Sequence, residues 1–415
     1  MKLDLTDLIY ALSFSLDKVE YELLGLETGH GRRVACLCLF MAEYAGISGE
    51  ELRDYIGCCV LHDNALTAFI HEELDNFKYI TDESGQQLSD AINIDLIKND
   101  SNHGKIGERN IHLVPFRTNV DNIILYHHEH ADGSGPQGIT AAETVLKTQI
   151  LHLADEIDIN YKLSSLTESE FNKISEWVQS QSGKMFSEKA VQLFQEAVTY
   201  DKISYLKNKG AFTSLKRELR TVTSDYSDEE IHNFAKMFAS IIDYKSEFTQ
   251  THSLGVADKA EQMAKHYGFD NEKATRFYLA GALHDIGKLL VSNDILEKPG
   301  KLTADEFTTM KDHASATRYV LRLVKGIPDI VKWASNHHEK LNGTGYPRGL
   351  TAEELSFEER LMACVDIYQA LTEKRPYKDG MSHEKAIAIM QDMVDKGEID
   401  ATIVQDISAI MADVS

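Results

Sequence analysis

Hydrophobic residues recur at helical spacing along most of this chain, with polar residues between them. The first twenty residues show the pattern, because one face of the predicted helix carries Leu5, Leu8, Leu12 and Leu16. A serine or threonine followed three residues later by a glutamate, which is typical of a helix start, occurs at Ser48, Thr167 and Ser227. The chain has only 6 prolines in 415 residues. These patterns predict an all-α protein.

The same order of histidines and aspartates occurs twice in the sequence. In the first half the order is His30, His62, Asp63, His103, His127, His128 and Asp155. In the second half it is His252, His284, Asp285, His313, His337, His338 and Asp366. The first two histidines are 32 residues apart in both halves, and the third and fourth are 24 apart in both. Such a repeat is typical of two copies of one functional site rather than of unrelated core histidines.

The repeat predicts two helical-bundle domains in tandem, which we expect to pack on each other. We place the first domain at residues 1–200, a helical connector at 201–235 and the second domain at 236–415. The connector is less regular in pattern and richer in lysine and arginine than its neighbours. The spacing after the His-Asp pair is 40 residues in the first half and 28 in the second, which predicts an insertion between residues 68 and 100.

Charge and cysteine content narrow the classes of function. A net charge of −23 disfavours binding to DNA, RNA or an anionic membrane, because the overall field repels polyanions. A small anionic ligand remains compatible wherever cations are gathered locally. The five cysteines form no CxxC pair and accompany no secretory signal, which predicts reduced thiols and a cytoplasmic protein. The apolar run 34–42 is too short to span a bilayer, so we expect no membrane segment.

The repeated side chains have the chemistry of a metal site. The second set extends over about 115 residues, so helices of a bundle, rather than a short zinc-finger loop, must bring its members together. We expect His337 and His338 to point about 100° apart on a helix, and so to serve two ions or one ion and a substrate phosphate. Imidazole and carboxylate ligands without cysteine suit Fe, Mn, Co or Zn. Two such ions generate a hydroxide nucleophile and stabilise a phosphoryl displacement.

The second half resembles the HD-GYP branch of the HD superfamily of metal-dependent phosphohydrolases, from about residue 244 onward. The resemblance rests on segments 284–288 (HDIGK), 337–347 (HHEKLNGTGYP) and 366–377 (DIYQALTEKRPY), together with His252 and His313. The chain departs from the family pattern in three places. Ala314 and Thr317 follow His313 where the family usually has proline and glycine, and Asn342 replaces an aspartate that many members carry.

The resemblance implies an all-α fold and hydrolysis of a cyclic dinucleotide to a linear, 5′-phosphorylated one. The implied metal ligands are His252, His284, Asp285, His313, His337, His338 and Asp366, with Asp285 bridging two ions. The implied catalytic groups are Asp285 and Lys288. The implied substrate contacts are Lys288, Gly343, Thr344, Gly345, Tyr346, Pro347, Arg360, Arg375 and Lys378. Trinuclear members place a glutamate where this chain has Phe248, so we expect two divalent ions, Fe or Mn, with Ni, Co or Zn as alternatives.

The first half resembles an eroded copy of the same domain. It keeps seven candidate ligands for a second metal site: His30, His62, Asp63, His103, His127, His128 and Asp155. It has lost the residues that would contact substrate, because Leu66 replaces the lysine, Ala65 the glycine and Gln149 the arginine, and segment 133–136 lacks the tyrosine. We therefore expect a regulatory or structural domain, with phosphatase activity on a linear product as an alternative.

Three functions remain compatible with the sequence. The first is a phosphodiesterase for 3′,3′-cyclic GMP-AMP (cGAMP) or cyclic di-GMP, with cGAMP favoured because tandem chains without a sensor domain resemble a bacterial group linked to it. The second is a phosphohydrolase of mononucleotides or linear dinucleotides, against which the intact loop 343–347 argues. The third is a non-enzymatic effector that binds a cyclic dinucleotide, against which Lys288 and the complete ligand set argue.

Overall fold

The structure, a computed structural model, describes residues 1–69, 98, 100–206, 215, 216, 219, 222–245, 251–296, 298, 300–374 and 379–412. Over these residues the fold is all-α, as the sequence predicts, and the only sheet found among them is a pair of two-residue strands. None of the described helices is both long enough and apolar enough to cross a membrane. The chain forms two compact units, which we call the N-terminal unit and the C-terminal unit.

The N-terminal unit, Asp4–Thr223, is organised around one buried helix. Its described helices are α1 (Leu5–Leu24), α2 (His30–Tyr44), α3 (Gly49–Val60), α4 (Ser101–Ile111), α5 (Leu146–Asn160), α6 (Glu168–Ser180), α7 (Glu188–Ala197) and α8 (Tyr200–Ser204), with a 3₁₀ turn at Leu163–Ser165. Helix α2 packs against α1, α3, α5 and α7. Most of its side chains are fully buried, so it forms the centre of the core.

The C-terminal unit combines Ser224–Ser415 with Met1–Leu3. Its described helices are α9 (Asp228–Asp243), α10 (His252–His266), α11 (Asn271–Leu283), α12 (Asn293–Leu296), α13 (Ala304–Leu321), α14 (Pro328–Ser335), α15 (Phe357–Thr372), α16 (His383–Asp395) and α17 (Ala401–Ile410), with a 3₁₀ helix at Ile286–Leu290. Strands β1 (Lys2–Leu3) and β2 (Ser224–Asp225) pair antiparallel. Helix α11 packs against α9, α10 and α14, and all its side chains from Phe277 to Leu283 are buried.

The predicted connector, residues 201–235, crosses the division between the two units. Its beginning belongs to the N-terminal unit, and its last eight residues form the start of α9 in the C-terminal unit. The predicted insertion between residues 68 and 100 falls mostly outside the described residues. The functional boundaries given above therefore stay a prediction.

Helix starts follow the sequence signals at most positions. Complete capping boxes begin α6 at Thr167 and α9 at Ser227, as predicted, and two further boxes begin α13 and α15. At Ser48 the predicted capping box is wrong, although α3 does begin at the next residue. The Ser48 side chain makes no capping hydrogen bond, because Gly49 has a left-handed backbone (φ 66°) that departs from helical geometry.

The repeated histidines and aspartates lie at helix ends and on inward helix faces. His30 and His252 are the first residues of α2 and α10, and the two His-Asp pairs follow the ends of α3 and α11. The prediction that His337 and His338 lie on a helix is wrong. Helix α14 ends at Ser335, and the backbone of Asn336 (φ −108°, ψ 12°) leaves the helix, so the two histidines occupy the turn that follows.

Candidate metal centres

The C-terminal unit gathers seven predicted ligands into one buried cluster. The two aspartates lie between the histidines, and Asp285 Oδ2 is 3.2 Å from His284 Nε2 while its other oxygen is 3.5 Å from His313 Nε2. Asp366 Oδ1 is 3.1 Å from His252 Nε2. Three groups have ligand atoms within 4.8 Å of one another: His252, His284 and Asp366; His284, Asp285 and His337; His313, His337 and His338. His284 and His337 each belong to two of these groups, so the seven side chains form one continuous set of ligand atoms.

Backbone hydrogen bonds aim the histidines of this cluster at its centre. The Nδ1 atoms of His284, His313 and His337 lie 2.7, 2.6 and 2.6 Å from the carbonyl oxygens of residues 281, 310 and 334. Because a carbonyl oxygen only accepts, each Nδ1 carries the proton and each Nε2 presents its lone pair. Those three Nε2 atoms and Asp285 Oδ1 are buried and form no hydrogen bond with any described residue. Buried acceptor atoms that lack a hydrogen-bond donor are suitable ligands for a metal ion.

A fourth histidine of the cluster, His252, has a carboxylate beside each ring nitrogen. Its Nδ1 lies 2.8 Å from Glu373 Oε2, and its Nε2 faces Asp366. Without a metal ion, the carboxylates of Asp285 and Asp366 outweigh burial and raise the pKa of His284 to about 10, so a cation bound at Nε2 would take the place of a proton there. Asp285 has a pKa well below the usual range, since His284 and Lys288 outweigh the effect of burial. The centre therefore holds ionised carboxylates that attract a cation.

Gly287 and Lys288 have separate roles beside Asp285. A Cβ atom added to Gly287 would lie 2.0 Å from the carbonyl oxygen of His313, so only glycine lets α13 pass this closely. The backbone N–H of Gly287 donates to Thr317 Oγ1, and that hydroxyl donates to the carbonyl of His284. Thr317, a departure from the family pattern, thus ties the His-Asp turn to α13. Lys288 Nζ lies 2.5 Å from Asp285 Oδ2 and remains partly exposed.

The loop 343–347 lies against the histidine cluster. The ring of Tyr346 is 4.7 Å from that of His338 and 6.3 Å from that of His313, centroid to centroid. Gly345 is needed for close packing, because an added Cβ would lie 2.3 Å from the backbone nitrogen of Lys340. The Glu339 carboxylate fixes the far side of the loop by accepting from the N–H groups of Arg348 and Leu350. Thr344 is held by Asn342, whose Oδ1 accepts from its N–H and hydroxyl.

Of three further predicted substrate contacts, the structure describes only Arg360. Arg360 forms an ion pair with Asp400 on α17, with 2.8 Å between Nη1 and Oδ2. Arg375 and Lys378 lie outside the described residues, as does Phe248. Contacts from these arginines and this lysine to substrate stay a prediction.

The N-terminal unit gathers its seven predicted ligands in the same way. His30 Nε2 is 3.1 Å from Asp155 Oδ1, and His103 Nε2 is 3.1 Å from Asp63 Oδ1. Asp63, His103, His127 and His128 form one group of close ligand atoms, and His30, His62 and Asp63 form another. The Nδ1 atoms of His62 and His127 again bond backbone carbonyls three residues earlier. Their Nε2 atoms, both nitrogens of His128 and both oxygens of Asp155 are buried and form no hydrogen bond with described residues. This cluster also fits a metal ion.

The surroundings of the two clusters differ. Leu66 is buried where the C-terminal unit has Lys288, and Gln149 donates to the carbonyl oxygens of Ala141 and Thr144 where that unit has Arg360. His30 Nδ1 is paired with Asp158 (2.7 Å) rather than with a glutamate, and Arg33 binds both oxygens of Asp158. Asp158 lies three residues after Asp155, one turn along α5.

Sequence reasoning missed several residues that support the clusters. Asp158 and Glu373 follow the last aspartate of each repeat by 3 and 7 residues, which is helical spacing and therefore a readable signal. Glu20 lies four residues after Leu16, so it is a charged residue on the predicted apolar face of α1. Two histidines outside the repeat, His152 and His383, are also buried. Their Nδ1 atoms form hydrogen bonds with the carbonyl oxygen of His127 and with the hydroxyl of Tyr368.

Known proteins are similar to this chain in sequence and in fold. The family model of the HD domain matches residues 236–403. The 3′3′-cGAMP-specific phosphodiesterase 1 of Vibrio cholerae is 27% identical over 409 residues, which cover 96% of this chain and 90% of that protein. Phosphodiesterase 3 of that specificity, from the same organism, is 32% identical over 64% of this chain and 57% of its own length.

The fold of one solved structure is similar to that of this chain over its whole length. A crystal structure of a cyclic GMP-AMP-specific phosphodiesterase of V. cholerae superposes with a TM-score of 0.63 and 23% identity, covering 100% of this chain and 99% of that one. At this identity the similarity supports the fold, and the HD-domain match and the curated relatives support the family. Residues 236–403 therefore match an HD domain, and the chain as a whole is similar in sequence to 3′3′-cGAMP-specific phosphodiesterases.

Proposed function

We propose that this protein is a metal-dependent phosphodiesterase that hydrolyses a 3′,3′-cyclic dinucleotide, cGAMP or cyclic di-GMP, at the C-terminal cluster. The relatives support this substrate class, since they include proteins named as phosphodiesterases specific for 3′3′-cGAMP and for cyclic di-GMP. The observation that carries the proposal concerns the residues around the C-terminal cluster. Only the C-terminal cluster, among the described residues, places a lysine on its central aspartate and a tyrosine ring against its histidines.

The proposed reaction is an in-line hydrolysis of one phosphodiester. The oxygen of a water molecule bonds to phosphorus, the bond from phosphorus to the 3′ oxygen breaks, and a proton moves to that oxygen. The products are a 3′ hydroxyl and a 5′ phosphate on one linear dinucleotide. Two divalent ions, Fe or Mn in our proposal, would be held by the seven C-terminal ligands and would supply Lewis-acid stabilisation of the charge that develops on the phosphate oxygens.

The protein's own groups then have distinct tasks. Lys288 offers a positive charge to a non-bridging phosphate oxygen, and its partner Asp285 holds the lysine in place. Tyr346 presents an aromatic face next to His338, against which a ribose or base can pack. Gly343, Thr344, Gly345 and Pro347 give the loop the shape that brings the ring there. We further propose that Arg360, Arg375 and Lys378 contact the rest of the substrate, and that the protein acts in the cytoplasm.

The test is a product analysis with metal-loaded protein. Incubation with cGAMP and with cyclic di-GMP, separated by chromatography, should yield a linear dinucleotide that carries a 5′ phosphate, and chelated protein should yield none. A mononucleotide monoester serves as the control substrate and should remain intact. If the monoester is hydrolysed and neither cyclic dinucleotide is opened, the proposal is wrong and the phosphohydrolase alternative replaces it.

A further inference from the structure

A buried glutamate faces the N-terminal cluster from a helix that the repeat does not include. Glu20, on α1, is only 3% exposed, and its Oε2 forms no hydrogen bond with any described residue. Its other oxygen lies at the start of α2, since a Cβ added to Gly31 would be 3.7 Å from it. Glu20 also lines one pocket together with Asp63 and Leu66. The Glu20 side chain therefore lies next to Asp63, beside the start of α2.

The corresponding region of the C-terminal unit carries a lysine instead of a carboxyl group. There Lys288 sits on Asp285, whereas Leu66, its counterpart, is apolar and Glu20 stands nearby. A second carboxyl group near Asp63 offers a phosphate no cationic partner, but it offers a divalent cation an additional oxygen ligand. The replacement of an ammonium group by a carboxyl group therefore favours a metal ion over an anionic substrate.

Several further atoms of the N-terminal cluster are buried acceptors. The Nε2 atoms of His62 and His127 and both oxygens of Asp155 are buried without hydrogen bonds to described residues. Glu20 Oε2 adds one more buried acceptor to this set. Buried acceptors cost free energy unless a donor or a cation satisfies them, and a cation satisfies several at once.

We infer that the N-terminal cluster binds a divalent transition-metal ion with Glu20 as an additional ligand, and that this ion stabilises the N-terminal unit rather than binding a phosphodiester. The ligand class is a cation that accepts imidazole and carboxylate together, such as Mn²⁺, Fe²⁺ or Zn²⁺. The inference does not depend on the hydrolysis proposed above, because it concerns metal content and stability only.

The experiment isolates this site in the full-length chain. The double change His284→Ala with Asp285→Ala disables the other cluster, and Mn²⁺ affinity and bound metal are then measured with and without Glu20→Gln. The double variant, which is the parent in this experiment, should retain metal. Adding Glu20→Gln to it should weaken Mn²⁺ binding at least about tenfold. Glu196→Gln, at an exposed position of the same unit, should change neither quantity. A parent that binds no metal, or a Glu20→Gln variant with unchanged affinity, overturns the inference.

Thermal unfolding gives a second readout. Mn²⁺ should raise the Tm of the parent more than that of Glu20→Gln, because ligand binding to the folded state stabilises it. In the presence of a chelator, the Tm of Glu20→Gln should equal or exceed that of the parent. Without a cation the buried carboxyl group has no partner, and the amide replaces it. If Glu20→Gln does not fold, Glu20→Asp replaces it, and unchanged Mn²⁺ affinity in that variant counts against the inference. Loss of cyclic dinucleotide hydrolysis in this background is expected in every case and bears only on the proposed function.

Discussion

At the scale of single residues, the two clusters differ more in one lysine side chain, Lys288, than in their metal ligands. Both units keep histidines and aspartates in the same order and bring them together. Lys288 lies 2.5 Å from Asp285, and the equivalent Leu66 has no charge. A fixed positive charge in a partly desolvated site stabilises a phosphate whose negative charge grows during the reaction. We therefore propose that Lys288 supports hydrolysis, and we expect its loss to leave metal binding intact.

Replacing Lys288 by methionine should impair catalysis without emptying the site. Methionine keeps most of the side-chain volume but removes the charge, so kcat/KM for the cyclic dinucleotide should fall by about 10²–10³. Bound metal, measured by elemental analysis, should stay at the parent level. The control is Lys332→Met at an exposed position on α14, which should retain full activity. A kcat/KM within twofold of the parent would show that Lys288 does not contact the reacting phosphate.

Glu373 is expected to act through His252. Its Oε2 accepts from His252 Nδ1 at 2.8 Å, which fixes the ring so that Nε2 faces the cluster. Glu373→Gln should lower metal affinity by about 10- to 100-fold, as removal of such a partner does in other metal sites. Metal titration of the variant checks this, with Glu384→Gln at an exposed position of α16 as the control. Unchanged affinity would mean that the hydrogen bond is incidental.

The histidine and aspartate positions were predictable because they repeat at fixed spacing. Glu373 and Asp158 could also have been found, because each follows an aspartate at helical spacing. Glu20 could be suspected as a charge on an apolar face, but its approach to Asp63 depends on how α1 packs against α2 and α3. Lys288 was predicted as a phosphate contact, and its ion pair with Asp285 required the structure.

At the scale of helices, the site depends on how closely α13 approaches the turn after α11. Gly287 lies under the carbonyl of His313, and Thr317 bonds both sides of the contact. The third histidine is thereby held against the His-Asp pair. The N-terminal unit has Ala65 at the equivalent position, so the corresponding helix must approach that turn differently.

Gly287→Ala tests this contact. The added methyl group would lie 2.0 Å from the His313 carbonyl oxygen and 2.7 Å from the Thr317 nitrogen, so α13 must move. We expect a loss of about 1–3 kcal/mol in the free energy of unfolding, measured by urea denaturation, together with weaker metal binding. Thr317→Val, which removes only the hydroxyl, should cost less. A Gly287→Ala protein as stable as the parent would exclude tight packing at this turn.

Helix limits were predictable where capping residues mark them, as at Thr167 and Ser227. Two predictions at this scale failed for backbone reasons. Ser48 cannot cap α3, because Gly49 adopts a left-handed conformation, and α14 ends before His337 instead of including it. A helical pattern indicates that a helix exists, but the dihedral angles of its last residues depend on tertiary packing.

At the scale of the whole molecule, both halves of the repeat keep a cluster of ligands, and the residue beside the cluster differs in charge. Each compact unit brings its own seven ligands together, and the chain matches its V. cholerae relative over 96% of its length. The net charge of −23 makes the local cation of the C-terminal cluster more important, because an anionic substrate must be attracted against the general field. We propose that the C-terminal unit carries out hydrolysis and that a bound metal ion stabilises the N-terminal unit.

The most direct measurement compares two matched double variants by product formation. His284→Ala with Asp285→Ala removes the metal-holding pair of the C-terminal unit, and His62→Ala with Asp63→Ala removes its counterpart. With cGAMP as substrate and folding verified by circular dichroism, the first variant should form no linear dinucleotide, and the second should retain hydrolysis to the extent that it folds. Turnover that persists in the first variant and disappears in a folded second variant would contradict the account.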